Sequence, residues 1–113
     1  MRKTIEQERA NFCIKKVKSI TLNRDRYKNY ARDLSSFIIS NGLIPTLAFY
    51  KKEEKKLVYD TINEWLKEKK LIENDALEEL ANSDFQLLRL ATIEILAIAN
   101  WLKRIVEAEI KED

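Results

Sequence analysis

Glu94 sits near the start of the most apolar stretch of the chain, ATIEILAIANWLKRIVEAE over residues 91–109, and this stretch turns basic at Lys103 and Arg104. A carboxylate in apolar surroundings can act as a general acid or base, bind a metal, or pair with a cation, because leaving it charged and alone there is costly. Acid–base work needs a second group at a suitable distance, and a metal needs further ligands at matching spacing. Neither a paired-carboxylate motif nor a metal spacing lies near Glu94. A catalytic acid is therefore the minority reading. A cation from another helix, Arg9 or Arg32, is the expected partner.

The other reactive side chains narrow the chemistry further. The chain has no histidine, which removes imidazole as metal ligand, general base and partner to a nucleophile. Cys13 is the single cysteine, and Phe12, Ile14 and Val17 around it mark a small core residue rather than a reactive thiol. No catalytic residue, cofactor or metal is expected.

What remains is charge. Arg9, Lys15, Lys16 and Lys18 come first, followed by Arg24, Arg26, Lys28 and Arg32 and then by Lys51, Lys52, Lys55 and Lys56. Residues 1–56 hold 14 Lys/Arg against 6 Asp/Glu, net +8, whereas residues 57–113 hold 7 against 13, net −6. Such a split means either that the halves attract one another or that the basic half faces a polyanion. Arg9 and Lys16 lie seven apart on the margin of an apolar face, a fixed base suited to phosphate contact. No helix-turn-helix spacing or aromatic stacking motif is visible, so binding that ignores sequence is the expectation.

The elements that must hold these cations are helices. One Gly and one Pro in 113 residues leave little punctuation. Ile5, Phe12, Cys13, Val17 and Ile20 recur at helical spacing, as do Tyr27, Tyr30, Ala31, Leu34, Phe37 and Ile38. Asn41 and Gly42 should end the second helix, and Pro45 should open a short third, PTLAFYKK. A fourth is expected from about residue 56 to 69, with Val58, Ile62, Trp65 and Leu66 inward. NDALEELANS reads as a fifth with Asn74 as cap, and Asp84 caps a long final helix. There, Leu88, Ala91, Ile95, Ile98, Leu102 and Ile105 form the core stripe, widened by Leu87, Ala99 and Val106, while Arg89, Asn100, Lys103, Arg104 and Glu107 gather opposite. The fold class is all-α, a compact bundle of about five to six helices with a long C-terminal core helix, in one domain over residues 1–113.

Between Glu94 and Lys103 only eight residues run uncharged, against the ~20 of a spanning helix, so no membrane partner is expected. MRKTIEQERANF lacks an apolar region of signal-peptide length, which makes a cytoplasmic location the default.

NGLIPTLAFY and ATIEILAIANWLKRIVEAE together give the chain a family likeness: it resembles the small α-helical subunit of the type III-B CRISPR effector, the RNA-guided Cmr complex. The likeness runs through Arg9, Ala10, Tyr30, Ala31, Leu34, Asn41, Gly42, Leu43, Leu47, Ala48 and Phe49. It resumes in Arg89, Ala91, Thr92, Glu94, Leu96, Trp101, Leu102, Lys103, Arg104, Glu107 and Ala108. Leu88 departs from an aromatic and Ser35 from a proline. The resemblance implies a non-catalytic subunit stacked in a few copies as the belly filament of an antiviral ribonucleoprotein, supporting the guide RNA paired with target RNA. Its partners would be other Cmr subunits, copies of itself and both RNAs. On that reading Arg9, Lys15, Lys16, Lys18 and Lys51 contact phosphates, and Lys103 and Arg104 support RNA or a neighbouring subunit. A helical adaptor that binds only protein is the alternative, and a nuclease built on Glu94 is a third.

Overall fold

In the computed structural model, which describes residues 2–111, six α-helices and one short 3-10 turn account for the ordered elements, and no strand occurs among the described residues. The first helix, α1 (Ile5–Ser19), begins at a capping box. The Thr4 hydroxyl accepts from the Gln7 backbone N–H at 3.1 Å while the Gln7 side chain accepts from the Thr4 N–H at 2.8 Å. Lys16 and Lys18 in the last turn complement the negative end of its dipole. Asn23, with φ 55°, turns the chain into α2 (Arg24–Asn41), and after glycine a short polar side chain tolerates that left-handed backbone better than most.

Gly42, at φ 85°, separates α2 from α3 (Leu43–Tyr50) while its N–H closes on the Ile38 carbonyl at 2.8 Å. Pro45 lies in the first turn of α3 as expected, although the helix starts two residues before it. The 3-10 turn Glu53–Lys55 leads into α4 (Lys56–Glu68). The short α5 (Ala76–Ala81) is capped by Asp75 rather than by the expected Asn74. The Asp75 carboxylate accepts from the Glu78 N–H at 3.1 Å, while the Asn74 N–H is itself taken by Glu79. Asp84 caps α6 (Phe85–Glu109) by accepting from Leu87 N–H at 2.8 Å, as the sequence indicates.

The helices close around one cluster of buried apolar side chains, with Val17, Tyr27, Leu34, Leu47, Tyr59, Trp65, Ile95 and Leu102 among its members. Buried hydroxyls are satisfied locally: Tyr27 and Thr61 share a 2.8 Å hydrogen bond, and the Tyr50 hydroxyl donates to the Tyr30 carbonyl at 2.7 Å. Lys28, expected in the basic surface, is instead buried, and its ammonium donates to the Ile110 carbonyl at 2.8 Å, tying α2 to the end of α6.

On α6 the expected stripe is core: Ala91, Ile95, Ile98, Ala99, Leu102 and Val106 are buried, with Leu87, Leu88 and Ile105 partly so. The run between charges understates this helix, in which an 18-residue window has a mean hydropathy of 1.3, long and apolar enough to cross a membrane by length and composition. Its place in the bundle is decided by packing: one face meets α1, α2 and α4, and Glu94 in its middle pairs with α1. Phe85, Leu90 and Ile93 stay exposed on the outer face of its first half.

Candidate nucleic-acid interface

Arg9, near the N-terminal side, faces a carboxylate across the fold. From α1 its Nη2 donates to Glu94 Oε2 at 2.8 Å and its Nε to Oε1 at 3.4 Å, while Trp65 Nε1 on α4 adds a 3.0 Å bond to Oε1. Arg9 also pairs with Glu6, whose carboxylate accepts from Trp101 Nε1 at 2.6 Å. Two tryptophans, two glutamates and one guanidinium thus join three helices. Burial works against the Glu94 charge, and the Arg9 and Trp65 hydrogen bonds more than offset it, so its pKa lies below the ordinary carboxylate value. The Trp101 and Arg9 hydrogen bonds lower Glu6 likewise, and the Glu94 hydrogen bond raises Arg9.

This arrangement selects between the two partners open to Glu94 on sequence, and it gives Arg9 another role. With its side chain 12% exposed and its guanidinium held by two carboxylates, Arg9 fixes α1 on α6 rather than presenting charge outward. Lys16 is similar: it pairs with Glu64 of α4 at 19% exposure, next to Phe12, whose ring lies 5.0 Å from that of Trp65. Lys51 bonds Asp75 at 3.2 Å and lies over the Tyr59 ring. Asp75 is pushed up by burial, yet the Glu78 N–H, the Tyr59 hydroxyl and Lys51 bring its pKa below the ordinary value.

Each of these pairs, Arg9–Glu94, Lys16–Glu64 and Lys51–Asp75, joins the basic half of the sequence to its acidic half. Attraction within the chain therefore absorbs part of the charge split. Lys15 and Lys18 on α1, and Lys103 and Arg104 on α6, are exposed and form no ion pair among the described residues. Lys15 and Lys16 line one groove of about 570 Å³ between α1 and α4, shared with Lys3 and Lys69 but also with Glu8, Glu64 and Glu68. Arg104 lines a separate cleft with Glu6, Asn100 and Trp101. Lys51 lies at a third place, where α3, α4 and α5 meet.

The sequence reading missed an aromatic surface. Phe37 of α2 and Phe49 of α3 stack at 4.8 Å and 22°, with Tyr50 edge-on to both. Lys52 lies 5.7 Å and Lys55 3.7 Å from the Phe49 ring centre, and Lys55 is buried there rather than standing in an open loop. The signal was present as Phe37 and Phe49 near a lysine cluster, but their meeting depends on the sharp turn at Gly42.

For catalysis the side chains offer little. Burial raises the Cys13 thiol to about 12, leaving it protonated at neutral pH. No group of three Cys, Asp or Glu side chains is placed to share a metal ion among the described residues.

Known proteins match this fold over nearly its full length. The family model described as CRISPR-associated protein (Cas_Cmr5) matches residues 5–109. The CRISPR system Cmr subunit Cmr5 of Thermotoga maritima is 33% identical, the match covering 90% of this chain and 81% of that protein. The X-ray crystal structure of a CRISPR-associated Cmr5 family protein from Thermus thermophilus superimposes with a TM-score of 0.82 at 25% identity, covering 97% of this chain and 100% of that one.

Proposed function

The chain belongs to the Cmr5 family of CRISPR-associated proteins, and from this we propose that it serves as a non-catalytic small subunit of a cytoplasmic type III-B Cmr ribonucleoprotein. In that role it stacks with copies of itself as the belly filament and supports the pairing of guide RNA with target RNA. Lys15, Lys18, Lys103 and Arg104 supply phosphate contacts, joined by Lys51 and Lys16 at the edges of their ion pairs, while Arg9 holds α1 in place.

The observation that carries this reading is the set of exposed cations on helices whose opposite faces are core. Cations fixed on such a scaffold meet a phosphate backbone without first being ordered, and backbone contact asks for no base-specific motif. Reversing Lys15 and Lys18 to Glu in the assembled complex should weaken target-RNA binding and lower the slope of log affinity against log salt by about two. An unchanged slope and affinity would refute the reading.

A second reading, a helical adaptor that touches protein alone, draws on exposed Phe85, Leu90 and Ile93. Such a patch suits a neighbouring subunit. Under that reading the charge reversals leave RNA binding intact, whereas Ile93→Asp blocks assembly.

A further inference from the structure

Between the end of α2 and the start of α3 lies an open slot of about 210 Å³ lined by Phe37, Asn41, Pro45, Thr46 and Phe49. It is smaller than the roughly 300–1,000 Å³ of sites for drug-sized ligands, and it has room for one planar ring system. Its aromatic wall is rigid. The Phe37 and Phe49 rings are stacked on each other and held edge-on by Tyr50, whose hydroxyl is anchored on the Tyr30 carbonyl. At the rim, the Asn41 amide nitrogen donates to the Phe37 carbonyl at 3.2 Å, which leaves the amide oxygen to accept from an incoming group.

The charge beside this slot is positive. Lys52 and Lys55 both lie against the Phe49 ring and exposed Lys56 follows them, against Glu53 and Glu54 in the same turn, a balance of three cations to two carboxylates, while Lys51 is taken by Asp75. A ring holds an ammonium in place without neutralising it, so the cations beside the slot keep their attraction for an anion. An apolar slot walled by aromatic rings next to fixed cations matches a nucleotide: a base for the slot and its phosphate for the lysines. Single-stranded nucleic acids bind by this combination of ring contact and electrostatic attraction.

We propose that the Phe37–Phe49 slot takes one unpaired base of single-stranded RNA, with the phosphate of that nucleotide held by Lys52. This deepens the RNA-binding reading above and rests on it. The slot makes the chain sensitive to whether a base is present on the strand, which the cations on α1 and α6 cannot sense.

The test uses the full chain with two fluorescent single-stranded RNAs of equal length and charge, one intact and one abasic throughout, read by anisotropy at fixed salt. The intact RNA should bind about tenfold more tightly, in the range found for single base–aromatic contacts. Phe37→Leu should abolish that difference while leaving the salt slope unchanged. Asn41→Trp, at an exposed position on the rim, should fill the slot to the same effect and guards against a folding defect in the first variant. Equal affinity for both RNAs in the unmodified chain, with Lys15→Glu/Lys18→Glu still weakening both, would overturn the slot and leave the RNA-binding reading standing. Binding to neither RNA by the lone chain would overturn the slot, while the RNA-binding reading stands or falls by the salt slope of the assembled complex.

Discussion

Along α1, Arg9 and Lys16 face carboxylates from the acidic half of the chain, whereas after α3, Lys52 and Lys55 rest on the Phe49 ring. The first arrangement cancels charge as it locks helices together, and the second positions charge while preserving it. A count of basic residues treats the two regions alike. The difference between them teaches that the charge offered to a partner is set by what each cation meets inside the fold.

The largest effect should come from breaking the ionic side of this comparison. Glu94→Gln removes the charge that faces Arg9, and with Glu94 only partly exposed we expect a loss of ~2–3 kcal/mol, below the full penalty for a fully buried pair. Urea unfolding measures it. Because the folded pKa of Glu94 is depressed, its contribution to stability is complete above the unfolded carboxylate value and is lost as pH falls through the folded one. Stability of the parent chain should therefore fall on acidification more steeply than that of Glu94→Gln. Parallel acid limbs would show that Glu94 does not carry this dependence.

A smaller change should follow on the aromatic side. Phe49→Leu keeps an apolar side chain but removes the seat of Lys55, and a loss of about 1 kcal/mol is expected in thermal or urea melts. Smallest is the Lys16–Glu64 pair, since half of the Glu64 side chain is in solvent. A double-mutant cycle with Ala at both positions should give a coupling of ~0.2–1 kcal/mol, shrinking in high salt. A coupling above that of the Glu94 substitution would reverse the ranking of the two ionic contacts.

Helix content and the inward faces were legible in the sequence because apolar spacing reports them directly, and so was the cap at Asp84. The need for a cation at Glu94 was equally legible, since an apolar flank makes an unpaired carboxylate costly, but choosing Arg9 over Arg32 required the helices to be placed. The fates of Lys28 and Lys55 were hidden for the same reason. Burial of the Lys28 ammonium depends on the Ile110 carbonyl, delivered from the far end of the chain, whereas Phe49 stands six residues before Lys55 and its ring reaches that ammonium only once the turn after α3 is formed. The shift of the cap from Asn74 to Asp75 is a one-residue matter of which carboxamide or carboxylate reaches the third N–H.

The hydrogen bond from Lys28 to the Ile110 carbonyl has a practical bearing on how the polypeptide can be cut or extended. Trimming the tail back past Ile110 would strip a buried ammonium of that acceptor and unseat an apolar side chain at once, so damage at the last residues of α6 would spread to α2. An affinity handle or fluorophore is better carried ahead of the Thr4 capping box, where the neighbouring side chains already lie in water.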